Sequence, residues 1–505
     1  MNNRKCLGLV VTGFAFLIGL AAPRAEAGAL LLGFEGTSQL DNCALGQCFR
    51  PPDTMGAVGT SQYLETTNGS ITVYDKTNGA VQQRIDFNKF WQNAGQTGTQ
   101  GDQRVLFDHY TNRWIAIGFG AALSDINIAT SDTSDARGTW KSTKFVGFAT
   151  GVADYPTLGM DNKGVYIGTN NFSTADVFLG TSLFSIPKAD LFGGAPTTAN
   201  MTTFTHPYPA VLDRGVAIQG AVNWQGNPTN TASVMAVSTE VNDLHFYQIN
   251  GVNAPGATLT PSSLIGGTNY IFPIPPARQP DGTRLVDALG DRISANVAQV
   301  NGKLYSVHTV RPLGTDFDAV RWTVVDATTG ALIAEGDIGG GGFDYFQGSI
   351  GINEFGEVVI AYNRSGGIDK GVDGRISFMA RTFQVNGSGS LVQVGFEMLL
   401  RRSEVDDYRC GAHTLIDGDC EQRWGDFSAV TIDPLDHHNF WAIGEYADDW
   451  AVIPDFTTTD ERAIWHTYIA EIGVLATVPA PATLALLTLG LAGLGYSRRR
   501  RGPQQ

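Results

Sequence analysis

Asp53-Thr54-Met55-Gly56-Ala57-Val58, followed by Gln62-Tyr63-Leu64-Glu65-Thr66-Thr67-Asn68, is the stretch that decides how this chain folds. A polar or acidic entry opens a short strand of small and β-branched residues, a turn follows, and a second strand ends on a polar side chain. The phrase returns at Asp102 to Asp108 with Arg113 to Phe119, at Asp154 to Asp161 with Gly164 to Asn170, and at Asp291 to Val297 with Lys303 to His308. It returns again at Gln347 to Asn353 with Glu357 to Asn363, and at Asp426 to Asp433 with Phe440 to Tyr446. No stretch between the ends of the chain carries amphipathic helix periodicity over three turns, so the class is all-β.

Six copies are plain. The 137 residues from Asp154 to Asp291 are more than twice the other intervals, so a divergent copy is expected inside them, from the material around Asp213 to Trp224, Ser233 to Val241 and Leu244 to Asn250. With seven units, the six steps from Asp53 to Asp426 average about 62 residues, longer than a minimal four-stranded propeller blade of about 40–50, with the excess in loops. The first unit reads as strands Met55–Gly59, Gln62–Asn68, Ile71–Lys76 and Val81–Phe87, with an Asn78-Gly79 hairpin turn between the last two. The last unit has only three: Phe427–Pro434, Phe440–Tyr446 and Ala463–Gly473. Ala29–Phe34 is expected to supply its fourth and close the ring. The prediction is a single seven-bladed β-propeller over residues 29–475, which protects its sheet edges by radial repetition.

The two ends read as addresses. Residues 1–27 pair Arg4 and Lys5 with an apolar stretch from Leu7 to Ala22 and an Ala25-Glu26-Ala27 cleavage pattern, a secretory signal peptide. At residues 478–501, Pro479-Ala480-Pro481 precedes an apolar run from Thr483 to Tyr496 and the cluster Arg498, Arg499, Arg500 and Arg501. Fourteen residues make a helix of about 21 Å, short of a bilayer core of about 30 Å. The arginines hold that end on the cytoplasmic side, so the tail contacts the membrane before processing. The tail resembles the PEP-CTERM sorting signal of Gram-negative bacteria, with Ala480 standing where the motif has Glu. The resemblance implies an exosortase as processing partner and an exported protein of the envelope or extracellular surface.

Composition agrees with that destination. The chain has 505 residues, of which 43% are hydrophobic and only 16% charged, with a formal net charge of −15. Setting aside Arg4, Lys5, Arg24 and Glu26 of the leader and the four tail arginines leaves 27 basic and 48 acidic side chains in residues 28–497. Such a body repels nucleic acid and anionic lipid. Cys43, Cys48, Cys410 and Cys420 survive removal of the leader. Their close spacings favour Cys43–Cys48 and Cys410–Cys420 disulfides in an oxidising compartment, although sequence alone leaves three pairings open.

Pro51-Pro52-Asp53-Thr54 with Gly56-Ala57-Val58-Gly59, Gly101-Asp102 with Arg113-Trp114, Asp154-Tyr155-Pro156, Gly290-Asp291-Arg292 and Arg423-Trp424-Gly425-Asp426 resemble the blade motifs of large secreted bacterial β-propeller proteins with PEP-CTERM or similar surface signals. The likeness covers nearly all of residues 34–473. It implies the fold and the address, and no single chemistry.

Recurrence places Asp53, Asp102, Asp154, Asp291 and Asp426 around one mouth of the central channel. They read first as latches to backbone N–H groups of the neighbouring blade, and second as oxygen ligands for calcium. Arg104, Arg214 and Arg292 sit beside them and supply the enzyme alternative, a guanidinium clamp on a substrate carboxylate in a sialidase-like glycoside hydrolase or a lyase. Ser134 to Trp140 approximates a sialidase Asp-box, a hairpin turn remote from chemistry. His437-His438 and Asp417-Gly418-Asp419 read as turns, Gly339 to Gly342 lack a following helix, and Trp114, Trp322, Trp424 and Trp441 read as core. The leading expectation is a non-catalytic scaffold that presents its loops to exopolysaccharide or a surface protein, with the enzyme as the alternative.

Overall fold

The computed structural model describes residues 28–207, 215–280, 282, 285–405, 423–452 and 461–474. The leader 1–27, Arg214, Cys410, Cys420, the Asp417 to Asp419 turn and the tail from Leu475 lie outside the described residues. After β1 (Ala29–Ser38) and α1 (Gln39–Ala44), β2 (Met55–Val58), β3 (Gln62–Thr66), β4 (Ser70–Asp75) and β5 (Val81–Asp86) make a four-stranded sheet. Following α2 (Phe87–Asn93), β6 (Arg104–Asp108), β7 (Arg113–Phe119), β8 (Asp125–Ser131) and β9 (Trp140–Val146) make the next. Then come β10 (Val152–Met160), β11 (Gly164–Phe172), β12 (Phe178–Pro187), α3 (Lys188–Leu191) and β13 (Thr202–Pro207). The middle holds β14 (Val216–Gly220), β15 (Val222–Asn223), β16 (Thr231–Val237), β17 (Leu244–Asn250), β18 (Thr258–Leu259), β19 (Ser263–Leu264) and β20 (Tyr270–Ile271). It continues with β21 (Ala298–Val300), β22 (Lys303–Pro312), β23 (Ala319–Asp326) and β24 (Leu332–Ile338). The last units are β25 (Asp344–Ile352), β26 (Glu357–Ser365), β27 (Ser377–Val385) and β28 (Leu391–Arg402), then β29 (Ala429–Ile432), β30 (Asn439–Val452) and β31 (Glu461–Gly473).

The fold is all-β and propeller-like, built from antiparallel meanders. Where seven separate blades are expected, pairing gives five separate sheets of four or five strands and one sheet of ten, ordered β13-β12-β11-β10-β15-β21-β22-β23-β24 with β20 on β22. The cause is local. The two residues of β15 pair in parallel with both neighbours, Met160↔Val222 on β10 and Val222↔Ala298 with Asn223↔Gln299 on β21. Two meanders are thereby stitched together through their inner strands.

The first and last sheets meet through the N-terminus. β1 pairs antiparallel with β31, from Ala29↔Gly473 to Ser38↔His466, giving the order β1-β31-β30-β29. Phe34 packs its ring 5.3 Å from Tyr74 of the first sheet and 6.3 Å from Trp441 of the last. Glu65, fully buried on β3, accepts from Thr37 Oγ1 at 2.7 Å, Tyr74 Oη at 2.5 Å and Thr467 Oγ1 at 2.5 Å, so one carboxylate ties β1, β4 and β31 to β3. Buried carboxylates persist when their lone pairs are filled in this way. Lys76 and Asp433 add an ion pair of 2.6 Å across the same seam. In α1, Ser38 and Asp41 form a capping box, and Cys43 is disulfide-bonded to Cys48.

Hydrophobic side chains pack between adjacent sheets, and Trp114, Trp322, Trp424 and Trp441 are all buried there. Toward the C-terminal ends of the inner strands the central channel narrows to a mostly apolar cavity lined by residues of β2, β6, β10, β15, β21, β25 and β29, among them Ala57, Leu106, Met160, Val222, Ala298, Ile350 and Ile432. Asp135 and Arg137, in the Asp-box-like stretch, occupy the β8–β9 hairpin as a turn, with Arg137 Nη2 2.7 Å from Asp135 Oδ2.

Candidate site at the channel mouth

The entry to each inner strand is where the backbone departs from the ordinary. Asp53, Asp102, Tyr155, Ala217 and Gln347 all adopt left-handed backbone, with φ between 44° and 52°. A residue with a Cβ pays for that conformation, and its persistence in five units requires surroundings that hold it. Those surroundings recur. The Asp102 N–H donates to Asn68 Oδ1 (3.0 Å), the Ala217 N–H to Asn170 Oδ1 (2.9 Å) and the Gln347 N–H to Thr309 Oγ1 (3.1 Å). Asn68 lies just beyond the preceding unit's second strand, and Asn170 and Thr309 lie toward the ends of theirs, inside β11 and β22. The unit-to-unit latch therefore belongs chiefly to Asn68, Asn170 and Thr309.

Asp53 serves as a latch of its own. Its Oδ1 accepts the Asp426 N–H at 2.8 Å, joining the last sheet to the first, and its Oδ2 accepts from Asn68 Nδ2. The preceding Gly425 has φ of 123°, and a Cβ there would lie 3.3 Å from Glu445 Oε2 and 3.5 Å from Asp53 Oδ1. Asn68 consequently bridges Asp53 and Asp102 with its two amide ends.

Four of the five predicted aspartates interact electrostatically as one group. Burial raises the Asp53 carboxyl well above the ordinary carboxylate range, with the Asp426 charge adding to the effect. Asp102 is raised by burial and then by Asp53, Asp154 and Asp426. Asp154 is pushed up to about 6 by burial and by Asp426, against the opposing pull of Arg292 and Arg423. Carboxylates that converge in a desolvated place hold protons to higher pH. Arg423 is half exposed; it donates from Nη2 to Asp426 Oδ1 at 2.7 Å, and the Asp426 charge raises its pKa.

The arginines expected in a clamp occupy unlike positions. Arg104 is fully buried: Nε donates to Pro156 O at 2.9 Å, and the guanidinium lies 4.0 Å from the Phe427 ring centroid and 5.6 Å from that of Tyr155. Arg292 is partly exposed, 6.0 Å from the Tyr155 ring, and donates to Leu289 O. Arg214 lies outside the described residues. The fifth aspartate, Asp291, stands apart from the other four, accepting from Tyr270 Oη at 2.7 Å with its pKa raised by burial. Together with Arg292 it lines a pocket of about 330 Å³ walled by Phe172, Phe178, Phe272 and Leu289. The mouth thus combines a four-carboxylate cluster with an aromatic pocket, and Arg292 acts on both.

No group of three or more His, Cys, Asp or Glu side chains arranged to hold a metal ion occurs among the described residues. Arg292 and Arg423 supply positive charge beside the acids. His437 and His438 bond instead to Glu354 (2.8 Å) and Glu357 (2.7 Å) of the neighbouring sheet. Asn68, Tyr155 and Gln347 were not singled out from sequence, because an Asn ending a strand reads as a turn residue and nothing marks a left-handed Tyr or Gln. Arg423 sits inside a motif that is legible, beside Trp424-Gly425-Asp426.

Residues 477–501 match the PEP-CTERM protein-sorting motif. The chain carries a sorting signal for the envelope surface of Gram-negative bacteria. That signal implies processing by an exosortase, and among the described residues no helix is long and apolar enough to cross a membrane. No curated protein matches the chain. Among solved structures, a PL25 polysaccharide lyase, an ulvan lyase bound to a GlcA(1-4)Rha3S unit, is 10% identical with a TM-score of 0.41, covering 82% of this chain and 91% of its own. An ACO/RPE65 chimera is 10% identical with a TM-score of 0.39 over 68% of this chain and 71% of its own. An endo-1,4-β-xylanase from Bacteroides thetaiotaomicron is 11% identical with a TM-score of 0.31 over 60% of this chain and 96% of its own.

The expectation of a non-catalytic scaffold, and with it the leaning against an enzyme, is corrected here: the sugar-directed proteins among these structures are enzymes, lyase and glycosidase alike. Likeness at TM-scores below 0.5 assigns no reaction and no residue to this chain.

Proposed function

We propose that this chain is an exported enzyme that cleaves polysaccharide, by hydrolysis or elimination, at the charged mouth of its channel. The observation that carries the reading is the convergence of Asp53, Asp102, Asp154 and Asp426 with Arg292, Arg423 and Tyr155 beside an aromatic pocket of about 330 Å³. Asp154, the most raised of these that is also partly open to solvent, is the proton donor in this reading, because a carboxyl titrating near 6 can both give and take a proton at neutral pH. Arg292 and Arg423 orient the glycan and stabilise developing negative charge. Arg104, Asp53 and Tyr155 hold the mouth in shape: the Tyr155 hydroxyl donates to Ile293 O at 3.1 Å. We also read the ring as seven units, supported by the seven strands around one channel and by the four-stranded meanders on either side of β15. In the same reading the mature chain begins after Ala27, and Cys410 pairs with Cys420.

Purified protein incubated with a panel of neutral and uronate polysaccharides tests this, with new reducing ends scoring hydrolysis and the ultraviolet absorbance of an unsaturated product scoring elimination. Asp154→Asn and Arg292→Ala are expected to lower the rate by about a hundredfold or more while the protein stays folded, with Asp154→Asn melting no lower than wild type. A wild-type protein that cleaves nothing on the panel, or an Asp154→Asn variant as active as wild type, overturns the proposal.

A further inference from the structure

Away from the charged mouth, at the other ends of the inner strands, a second concavity of about 470 Å³ opens beside β15, between the β14–β19 sheet and the β21–β24 meander. Its volume falls in the range of about 300–1,000 Å³ usual for small-molecule sites. Its wall carries no carboxylate, ammonium, guanidinium or imidazole, in a chain of net charge −15. Amides and hydroxyls take their place.

Part of that wall is held rigid by its own bonds. Asn227 donates to Asp161 Oδ2 at 2.6 Å and accepts the Thr231 N–H, while Gln225 and Asn301 clasp each other side chain to side chain at 2.7 Å. Other groups stand unused. The Gln299 amide, Asn250 Nδ2, Gln248 Oε1 and Thr328 Oγ1 make no hydrogen bond among the described residues, and all four residues line the groove. Just beyond one end, the Tyr110 hydroxyl donates to Asn223 O at 3.0 Å and its ring carries the Lys188 ammonium, 4.8 Å from the centroid, which fixes that end of the wall. An amide offers a donor and an acceptor side by side, the complement of two neighbouring hydroxyls. A charged sugar entering here would lose hydration with no opposite charge to replace it.

We propose that this groove binds an uncharged oligosaccharide chain, through Gln248, Asn250, Gln299 and Thr328, and that it works independently of the charged mouth. The site does not rest on the enzymatic reading, and it holds whether or not the mouth cleaves glycan.

Isothermal titration of the full chain with cellohexaose, xylohexaose and mannohexaose, and with an oligogalacturonate as the charged probe, tests the proposal. At least one neutral chain is expected to bind, the Asn250→Ala/Gln299→Ala pair to weaken it by about tenfold or more, and Asp154→Asn to leave it unchanged. Thr328→Lys, at an exposed turn position that tolerates a long side chain, is expected to block binding without touching the sheets, which covers the case in which the double variant folds poorly. The proposal is overturned if no neutral chain binds, if both groove variants bind as wild type does, if the oligogalacturonate binds as tightly through the same residues, or if Asp154→Asn abolishes binding.

Discussion

The two ends of the channel are made by the same strands and follow opposite physical rules. At the entries of β2, β6 and β10 the chain places Asp53, Asp102 and Asp154, with left-handed backbone at Asp53, Asp102 and Tyr155. A few residues further along the same strands, Val58, Phe107 and Met160 face an apolar channel floored by Trp224, whose ring stacks on His109 at 4.2 Å and 4°. One end is strained, charged and held by specific hydrogen bonds. The other is held by contact area. Strain and buried charge at one place in an otherwise regular repeat are what a functional site looks like when a scaffold elsewhere supplies the stability.

The sharpest way to break this comparison is to remove one large side chain at each end. Arg104→Ala deletes a fully buried guanidinium, its bond to Pro156 O and its contacts with Phe427 and Tyr155, and leaves Arg292 and Arg423 as the positive charges beside the acids. The expected loss is about 3 kcal/mol of unfolding free energy, measured by denaturant titration. Trp224 is half-buried, and Trp224→Ala is expected to lose about 1–2 kcal/mol. A larger loss at Trp224 would mean that the charged end is the looser of the two.

Asn68→Ala follows in size. It strips one acceptor from the Asp102 N–H and one donor from the buried Asp53 Oδ2 at once, at a half-buried side chain. About 2 kcal/mol of destabilisation is expected. Adding Asp102→Gly, which relieves the left-handed strain while keeping the N–H, is expected to restore part of it. If Asn68→Ala is silent, the latch is not what holds the strained entries.

The difference between the ends also explains which parts were readable in the residues. The strands of the first unit show in the alternation from Met55 to Phe87 and in the Asn78-Gly79 turn, because burial of one face imposes that pattern. The pairing of Ala29 onward with the last sheet is legible from a missing fourth strand. What escapes is held by single hydrogen bonds. Asn68, Asn170 and Thr309 look like ordinary polar residues of a strand or the turn after it, Ala217 and Gln347 carry no sign of their positive φ, and the stitching of two meanders rests on Val222 and Asn223 alone. Phe87 to Asn93 is too short for helical periodicity to rise above a strand pattern, so α2 is hidden too. The aspartates were visible because they recur, and their division into a cluster of four with Asp291 apart depends on Tyr270, which is 21 residues from Asp291 and lies in no repeated phrase.

The finest expected effect is a pair of opposite pH dependences. Asp154 holds its proton up to about 6 in the folded chain but only to about 4 when unfolded. Between those values the folded state binds more protons, so this group's contribution to stability is present at low pH and falls as pH rises through about 6. His109, at the floor, is pushed down to about 4 by burial, below its ordinary value near 6.5. There the unfolded state binds more protons, so its contribution is absent at low pH and grows as pH rises from about 4 to about 6.5. The two slopes oppose each other in nearly the same window. Denaturation midpoints from pH 4 to 7 should therefore rise more steeply with pH in Asp154→Asn than in wild type, and less steeply in His109→Gln. Both differences are read against wild type, which removes the contribution of every other titrating group. Equal slopes in all three proteins would mean that the protons at the two ends are not held as their surroundings demand, and the assignment of Asp154 as the proton donor would fall with them.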